Sequence, residues 1–188
     1  AQTPNEIIMK NRWNNKNAAL CLNPVALRAY SSRLLGADPN LVLHGGGNTS
    51  VKGSLENVFG EVQEVLFVKG SGWDLRTIEE PGFPPVQLDY LTRLGQLDSL
   101  SDSDMMKHLR LALLDPAAPT PSVEAILHAL IPHTFVDHTH ADAVVGISNS
   151  PNGEELLASI YGDEVLILPY IMPGFDLAKS AADIFDLN

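Results

Sequence analysis

Between Pro121 and His140 the chain reads PSVEAILHALIPHTFVDHTH, and its chemically capable side chains concentrate there. Glu124 precedes a His-Thr-His triplet, His138 and His140, set in TFVDHTH, a run of strand-favouring residues. On a strand, side chains two apart share a face, so both imidazoles would point the same way. Two neutral imidazoles with a carboxylate nearby suit a divalent transition metal such as zinc. A metal beside a free carboxylate can polarise a carbonyl while the carboxylate moves a proton. The same residues also fit a plain strand carrying two hydrogen-bonded histidines.

Other segments offer places for an anion. Thr120-Pro121-Ser122-Val123-Glu124 reads as a helix start, with Thr120 capping and Pro121 in the first turn. The N–H groups of Ser122 and Val123 and the helix dipole would then favour an anion. Glu124 and His128 are four apart and share a helix face, although His128 sits among apolar residues and reads as packing. His44-Gly45-Gly46-Gly47-Asn48-Thr49-Ser50 and Gly70-Ser71-Gly72 are glycine turns with polar side chains, where backbone can approach a ligand. Either could equally be a simple turn. Lys52 and Lys69 flank them and could supply positive charge, with solvated lysines as the ordinary expectation. No dinucleotide GxGxxG, Walker GxxxxGK[ST] or His-Glu-x-x-His is present. His108 and His133 read as structural or surface residues, and Cys21 as a small buried hydrophobe.

The elements that must position these residues alternate. Asn23-Pro24 opens a helix that Gly36 ends; 41–44, 49–52, 64–70, 134–139 and 164–170 read as strands; 77–87 is a Pro/Gly loop. Helices are expected over LDYLTRLGQL, SDSDMMKHLRLALL, the stretch after NSPNGEE, and FDLAKSAADIFDL to the chain end. Such alternation predicts an α/β layered fold. At 188 residues, 45% apolar and with mean hydropathy near zero, the chain suits one soluble domain spanning 1–188. No apolar run is long enough for a membrane span, and a lone cysteine favours a reducing, cytoplasmic setting. A net charge of −11 argues against nucleic acid and means that an anionic substrate needs local amides and cations.

GGGNTS (45–50), KGSGWDL (69–75), PSVEAILH (121–128), HTH (138–140) and PYIMPGFDLA (169–178), in this order, resemble the class II aldolase/adducin family. The wording is nearest to its rhamnulose-1-phosphate aldolases, including forms fused to a dehydrogenase domain. The resemblance implies a three-layer αβα domain with a central, mainly antiparallel sheet, assembled as a homo-tetramer. It implies a divalent metal, usually zinc, on three histidines, two of them matching His138 and His140, with Glu124 as acid/base. The substrate would be a phosphorylated sugar, its phosphate held at Asn48, Ser71, Gly72 and Ser122. Cleavage of a ketose 1-phosphate to dihydroxyacetone phosphate and a hydroxyaldehyde is the implied activity. Alternatives on the same scaffold are a pentulose-phosphate 4-epimerase, a thioribulose-phosphate dehydratase, or a non-catalytic adducin-like assembly module.

Two departures stand out. Val123 replaces a second serine found in some members, so one phosphate contact would fall to backbone. The third histidine normally follows in a later His-Gly pair, and none occurs between the PG turn and Asn188. The expectation is therefore a C-terminally truncated domain, inert by itself, with no NAD site in this chain.

Overall fold

The computed structural model describes residues 9–185. Its elements are α1 (Asn15–Ala18), α2 (Pro24–Gly36), β1 (Asn48–Glu56), β2 (Val62–Val68), β3 (Pro85–Gln87), α3 (Leu88–Gly95), α4 (Asp102–Leu111), α5 (Ala125–Leu130), β4 (Phe135–His138), α6 (Asp142–Ser148), α7 (Gly153–Tyr161) and α8 (Phe175–Phe185). The strands form an antiparallel sheet in the order β3-β2-β1-β4. None of the helices among the described residues is long and apolar enough to cross a membrane.

Strand alternation divides the core into two layers around the sheet. Leu66, Val68 and Val86 face one side, with Leu91, Leu109, Ile126 and Phe175 from the helices. Phe67 points to the other side, with Ala29 of α2, Val42, Leu75, Ile78 and Phe83. The result is the expected αβα arrangement with an antiparallel centre.

α2 begins as its sequence predicts: the Asn23 side chain accepts from the Ala26 N–H at 2.8 Å, with Pro24 in the first turn. Such a cap contributes about 1 kcal/mol. Gly36 is the last helical residue, and its role differs from a left-handed terminator. A Cβ there would run into the backbone of Leu75 and Arg76, so Gly36 permits a close approach.

Several elements depart from the sequence reading. Residues 41–44 form no strand; β1 starts only at Asn48, and the β1–β2 turn is at 57–61. The expected loop 77–87 contains a 3-10 turn, Glu80–Gly82, and the edge strand β3, where Pro85 is tolerated because it opens the strand. Residues 165–170 form no strand, because no described residue pairs with them; apolar composition makes a strand only where a partner exists. The short helix α6 was not anticipated. α8 is described as far as Phe185, and the remainder of that expected helix lies outside the described residues. Cys21 is half-buried, its thiol 3.7 Å from the Asn17 carbonyl, not a core residue.

Candidate functional site

β1 places alternate residues on the α5 side of the sheet, and three consecutive ones there are polar. Asn48 donates to Ser122 Oγ at 3.0 Å and to Glu124 Oε2; Ser50 Oγ pairs with His128 Nδ1 at 2.8 Å. Lys52 donates to the carbonyls of Ile131 and His133, the latter at 2.9 Å. Asn48, Ser50 and Lys52 thus fasten residues 122–133 across the sheet. Lys52 is committed to these carbonyls and does not serve the glycine loops.

His138 is the cross-strand partner of Asn48 in the β1–β4 ladder, so it shares that face. Its Nδ1 lies 3.0 Å from Glu124 Oε2. The approach is not along the ring N–H direction, and Nδ1 is buried without a directed hydrogen bond. β4 ends at His138, so His140 lies beyond the strand, held by its N–H to the Leu41 carbonyl at 2.9 Å. The two imidazoles still come together, with ring centroids 4.8 Å apart and planes at 57°. Expected pairing along one strand is replaced by the strand end plus the irregular residues just beyond it, with the same proximity.

The glycine loop closes against these histidines. Gly47 has φ +70°, and a Cβ there would stand 2.7 Å from the His138 carbonyl. At Gly46 a Cβ would lie 3.2 Å from His140 Nδ1. Asn48, Ser71, Gly72, Ser122, Glu124, His138 and His140 all line one cleft of about 410 Å3, together with Lys69 and Pro173. The structure therefore brings every expected site residue together.

The helix start differs from expectation. α5 begins at Ala125, with Glu124 as its N-cap, and the Ser122 N–H is engaged by the Lys69 carbonyl at 3.0 Å. Likewise the Gly70 N–H donates to Gly82 and the Ser71 N–H to Thr120, both at 2.8 Å. Pro121 bridges to Gly70 instead of entering the helix. The N–H groups of Gly70, Ser71 and Ser122 are thus engaged by protein contacts. Ser71 and Ser122 line the cleft together with Gly72 and Val123.

Burial is the largest influence on the Glu124 carboxyl and pushes its pKa up. His138, the Asn48 amide and the field of His128 together outweigh it, leaving the pKa below the usual range and the group ionised. His128 is buried behind the site, a packing residue as its apolar neighbours suggest. Lys69, expected either as a solvated residue or as positive charge beside the glycine loops, is 7% exposed and lines the cleft. Its position ending an apolar strand run just before Gly-Ser-Gly was the available signal.

The donor set fits a divalent metal in kind. His138 and His140 offer imidazole nitrogens beside an ionised carboxylate, and His138 Nδ1 lacks a directed partner. Two ligands about 2.1 Å from one metal stand roughly 3.0–3.4 Å apart, compatible with the His138–Glu124 contact. In number the set is short: among the described residues no three His, Cys, Asp or Glu side chains form a complete metal cluster.

The profile of the Class II Aldolase and Adducin N-terminal domain family matches residues 27–187, and the chain belongs to that family. The solved N-terminal class II aldolase domain of a conserved protein from Thermoplasma acidophilum superposes with a TM-score of 0.87. It is 41% identical, and the match covers 95% of this chain and 81% of that one. An uncharacterized oxidoreductase of Bacillus subtilis (strain 168), YuxG, is 38% identical over 176 residues, 94% of this chain and 26% of that protein. The chain thus spans about a quarter of the length of this curated relative.

Proposed function

We propose that this domain performs the carbon–carbon bond chemistry of a metal-dependent aldolase acting on a ketose 1-phosphate of the rhamnulose 1-phosphate type. The products would be dihydroxyacetone phosphate and a hydroxyaldehyde. The observation that carries the reading is Glu124, ionised and held between Asn48, Ser122 and His138 in a cleft walled by glycine loops.

His138 and His140, with Glu124 beside them, would hold a divalent metal, zinc in the family resemblance, which when bound supplies positive charge for the oxygens of the keto fragment. In the cleavage direction the carbon 4 hydroxyl gives its proton to water as its oxygen becomes the aldehyde carbonyl, the bond between carbons 3 and 4 breaks, and that bond's electron pair stays on the three-carbon phosphate fragment. Glu124 delivers the proton to that carbon and, in the synthetic direction, removes it. Asn48 restrains the carboxylate while the Ser122 hydroxyl holds the Glu124 backbone N–H, so less orientational freedom is lost on reaching the transition state. The hydroxyls of Ser71 and Ser122, with Gly72 and Asn48 beside them, would seat the phosphate.

The relative's description as an oxidoreductase favours one extension. In a longer polypeptide of that kind, another region would carry the redox step on the aldehyde, and this chain would hold no NAD site. The resemblance also makes the assembly a homo-oligomer, a tetramer in the family. Exposed apolar side chains such as Val58 and Phe59 are available for contacts.

The test is release of dihydroxyacetone phosphate from a panel of ketose 1-phosphates by the longer enzyme with metal supplied. Release from rhamnulose 1-phosphate is expected. No release from any of them would overturn the aldolase reading, whereas interconversion of pentulose phosphates would move it to the epimerase.

A further inference from the structure

The helix that follows Glu124 and the strand that carries His138 are joined by a short connection, residues 131–134. Pro132 lies within it and has no N–H to contribute. Lys52 of β1 grips this connection from the neighbouring strand. Its ammonium donates to the carbonyls of Ile131 and His133, the latter at 2.9 Å. Its backbone N–H donates to the Thr134 carbonyl at 2.8 Å. Ile131 is the C-cap of α5, where carbonyls lack helical partners and lysine side chains commonly serve them. Burial lowers the pKa of the Lys52 ammonium, a cost that its carbonyl partners offset.

The body of α5 packs through Ala125, Ile126, Ala129 and Leu130, and such apolar contacts are non-directional. Direction comes from the polar contacts. Midway along the helix, His128 Nδ1 meets Ser50 Oγ at 2.8 Å. At 1.5 Å per helical residue, Glu124 stands about 6 Å before that contact and Ile131 about 4.5 Å after it. His128 is therefore a pivot between two arms of similar length. A displacement at the Lys52 end returns at Glu124 as one of comparable size and opposite sense. Tolerances there are small, because Glu124 Oε2 lies 3.0 Å from His138 Nδ1 and accepts from Asn48. A misplacement of ~1 Å at a reacting group can cost on the order of 10²-fold in rate.

We propose that Lys52 is a positioning residue for the proton-transferring carboxylate: by clasping the connection between α5 and β4 it fixes Glu124 against His138 and Asn48. This inference rests on the acid/base reading of Glu124 above. Lys52 is not among the residues that line the cleft, so it acts on the reaction only through α5. An ammonium suits the task, since its three donors on one atom can serve two carbonyls at once. β1 thus aims Glu124 from both sides of the pivot, with Asn48 at the carboxylate and Lys52 beyond the far end of the helix.

The experiment follows the Asn48 side-chain amide and the His138 ring by nuclear magnetic resonance in the 188-residue protein and three variants, Lys52→Met, Lys52→Arg and Asn23→Ala. Asn23→Ala removes the cap of α2 and lowers Tm without touching α5. Lys52→Met should shift both signals, Lys52→Arg should return them towards the parent, and Asn23→Ala should leave them in place. In the longer enzyme Lys52→Met should lower kcat about ten- to hundredfold and leave KM within about twofold, because only the carboxylate is misaimed. Parental signals in Lys52→Met overturn the inference whatever its turnover. Shifts of equal size in Asn23→Ala, or a lowered Tm with kcat per folded enzyme unchanged, make Lys52 merely structural and overturn it as well. If the parental longer enzyme releases no dihydroxyacetone phosphate, the acid/base reading of Glu124 fails. The two signals then still decide whether Lys52 sets the contact between Glu124 and His138. Should Lys52→Met not fold, Lys52→Gln keeps a polar side chain of similar reach and gives the same contrast.

Discussion

Ser50 Oγ and His128 Nδ1 lie 2.8 Å apart, and both residues are sealed from solvent. Burial, first among the causes, pushes the His128 pKa down to about 4; the field of Glu124 opposes this, and those of His138, Lys52 and Arg28 reinforce it. The unfolded chain titrates this group near 6.5, so between the two values the unfolded state binds more protons. The contribution of neutral His128 is therefore complete above about 6.5 and is lost as pH falls towards 4. The gap corresponds to roughly 3 kcal/mol. Urea unfolding followed from pH 7 to 4 should show this slope, reduced in His128→Gln. Equal slopes in the two proteins would remove His128 as the cause.

Glu124→Gln preserves size and the contacts with Asn48 and Ser122 but removes the basic oxygen. Turnover of the longer enzyme should drop by about 10²–10⁴-fold, the usual contribution of a positioned acid/base, with little change in Tm. Proton exchange at the reacting carbon of dihydroxyacetone phosphate should fall in parallel. Exchange persisting at the parental rate would reassign the proton transfer to another group.

Metal content separates the roles of the histidines. His138→Ala and His140→Ala should each lower zinc retention after dialysis, as read by elemental analysis, and Glu124→Gln should lower it less. Catalytic zinc commonly uses three protein ligands, so this 188-residue chain, with two histidines and a nearby carboxylate, should hold zinc weakly. Parental zinc content in both alanine variants would show that the metal, if any, sits elsewhere.

The functional residue types were legible because they fall in short local words: Gly-Gly-Gly-Asn, Lys-Gly-Ser-Gly, Pro-Ser-Val-Glu and His-Thr-His. How they meet was not. Asn48 opposes His138 through an antiparallel pairing of residues far apart in sequence, and no local pattern specifies that register. The order of the core was partly readable, since the alternation in β2 sends Phe67 one way and Leu66 and Val68 the other. Residues 164–170 have apolar, β-branched composition, but composition supplies no partner strand, and Leu166 and Tyr170 remain 55% and 86% exposed. At the helix start, Thr-Pro-Ser looked like a cap, but Pro121 pairs with Gly70 and the helix waits until Ala125. Tertiary bonds to the Lys69–Gly70 backbone decide that boundary.

Arg28 of α2 is 1% exposed. Its guanidinium meets Asp137 at 2.6 Å and sits 5.5 Å from the Phe135 ring centroid, fixing α2 against β4 on the face opposite Glu124. The pair is asymmetric, because the Asp137 side chain remains 51% exposed. Removing Arg28 returns Asp137 to water, whereas removing the carboxylate leaves a buried cation with neutral acceptors only, Ser32 Oγ at 3.2 Å and the Ser50 carbonyl at 3.4 Å. Asp137→Asn should therefore cost more than the partner's exposure suggests, roughly 2–4 kcal/mol. Arg28→Met keeps much of the stem packing and should cost less, and the double variant should recover part of the Asp137→Asn loss. Chemical denaturation of the three variants decides it: an Asp137→Asn change within about 0.5 kcal/mol of the parent, the range of ordinary surface substitutions, would show that the guanidinium needs no carboxylate partner.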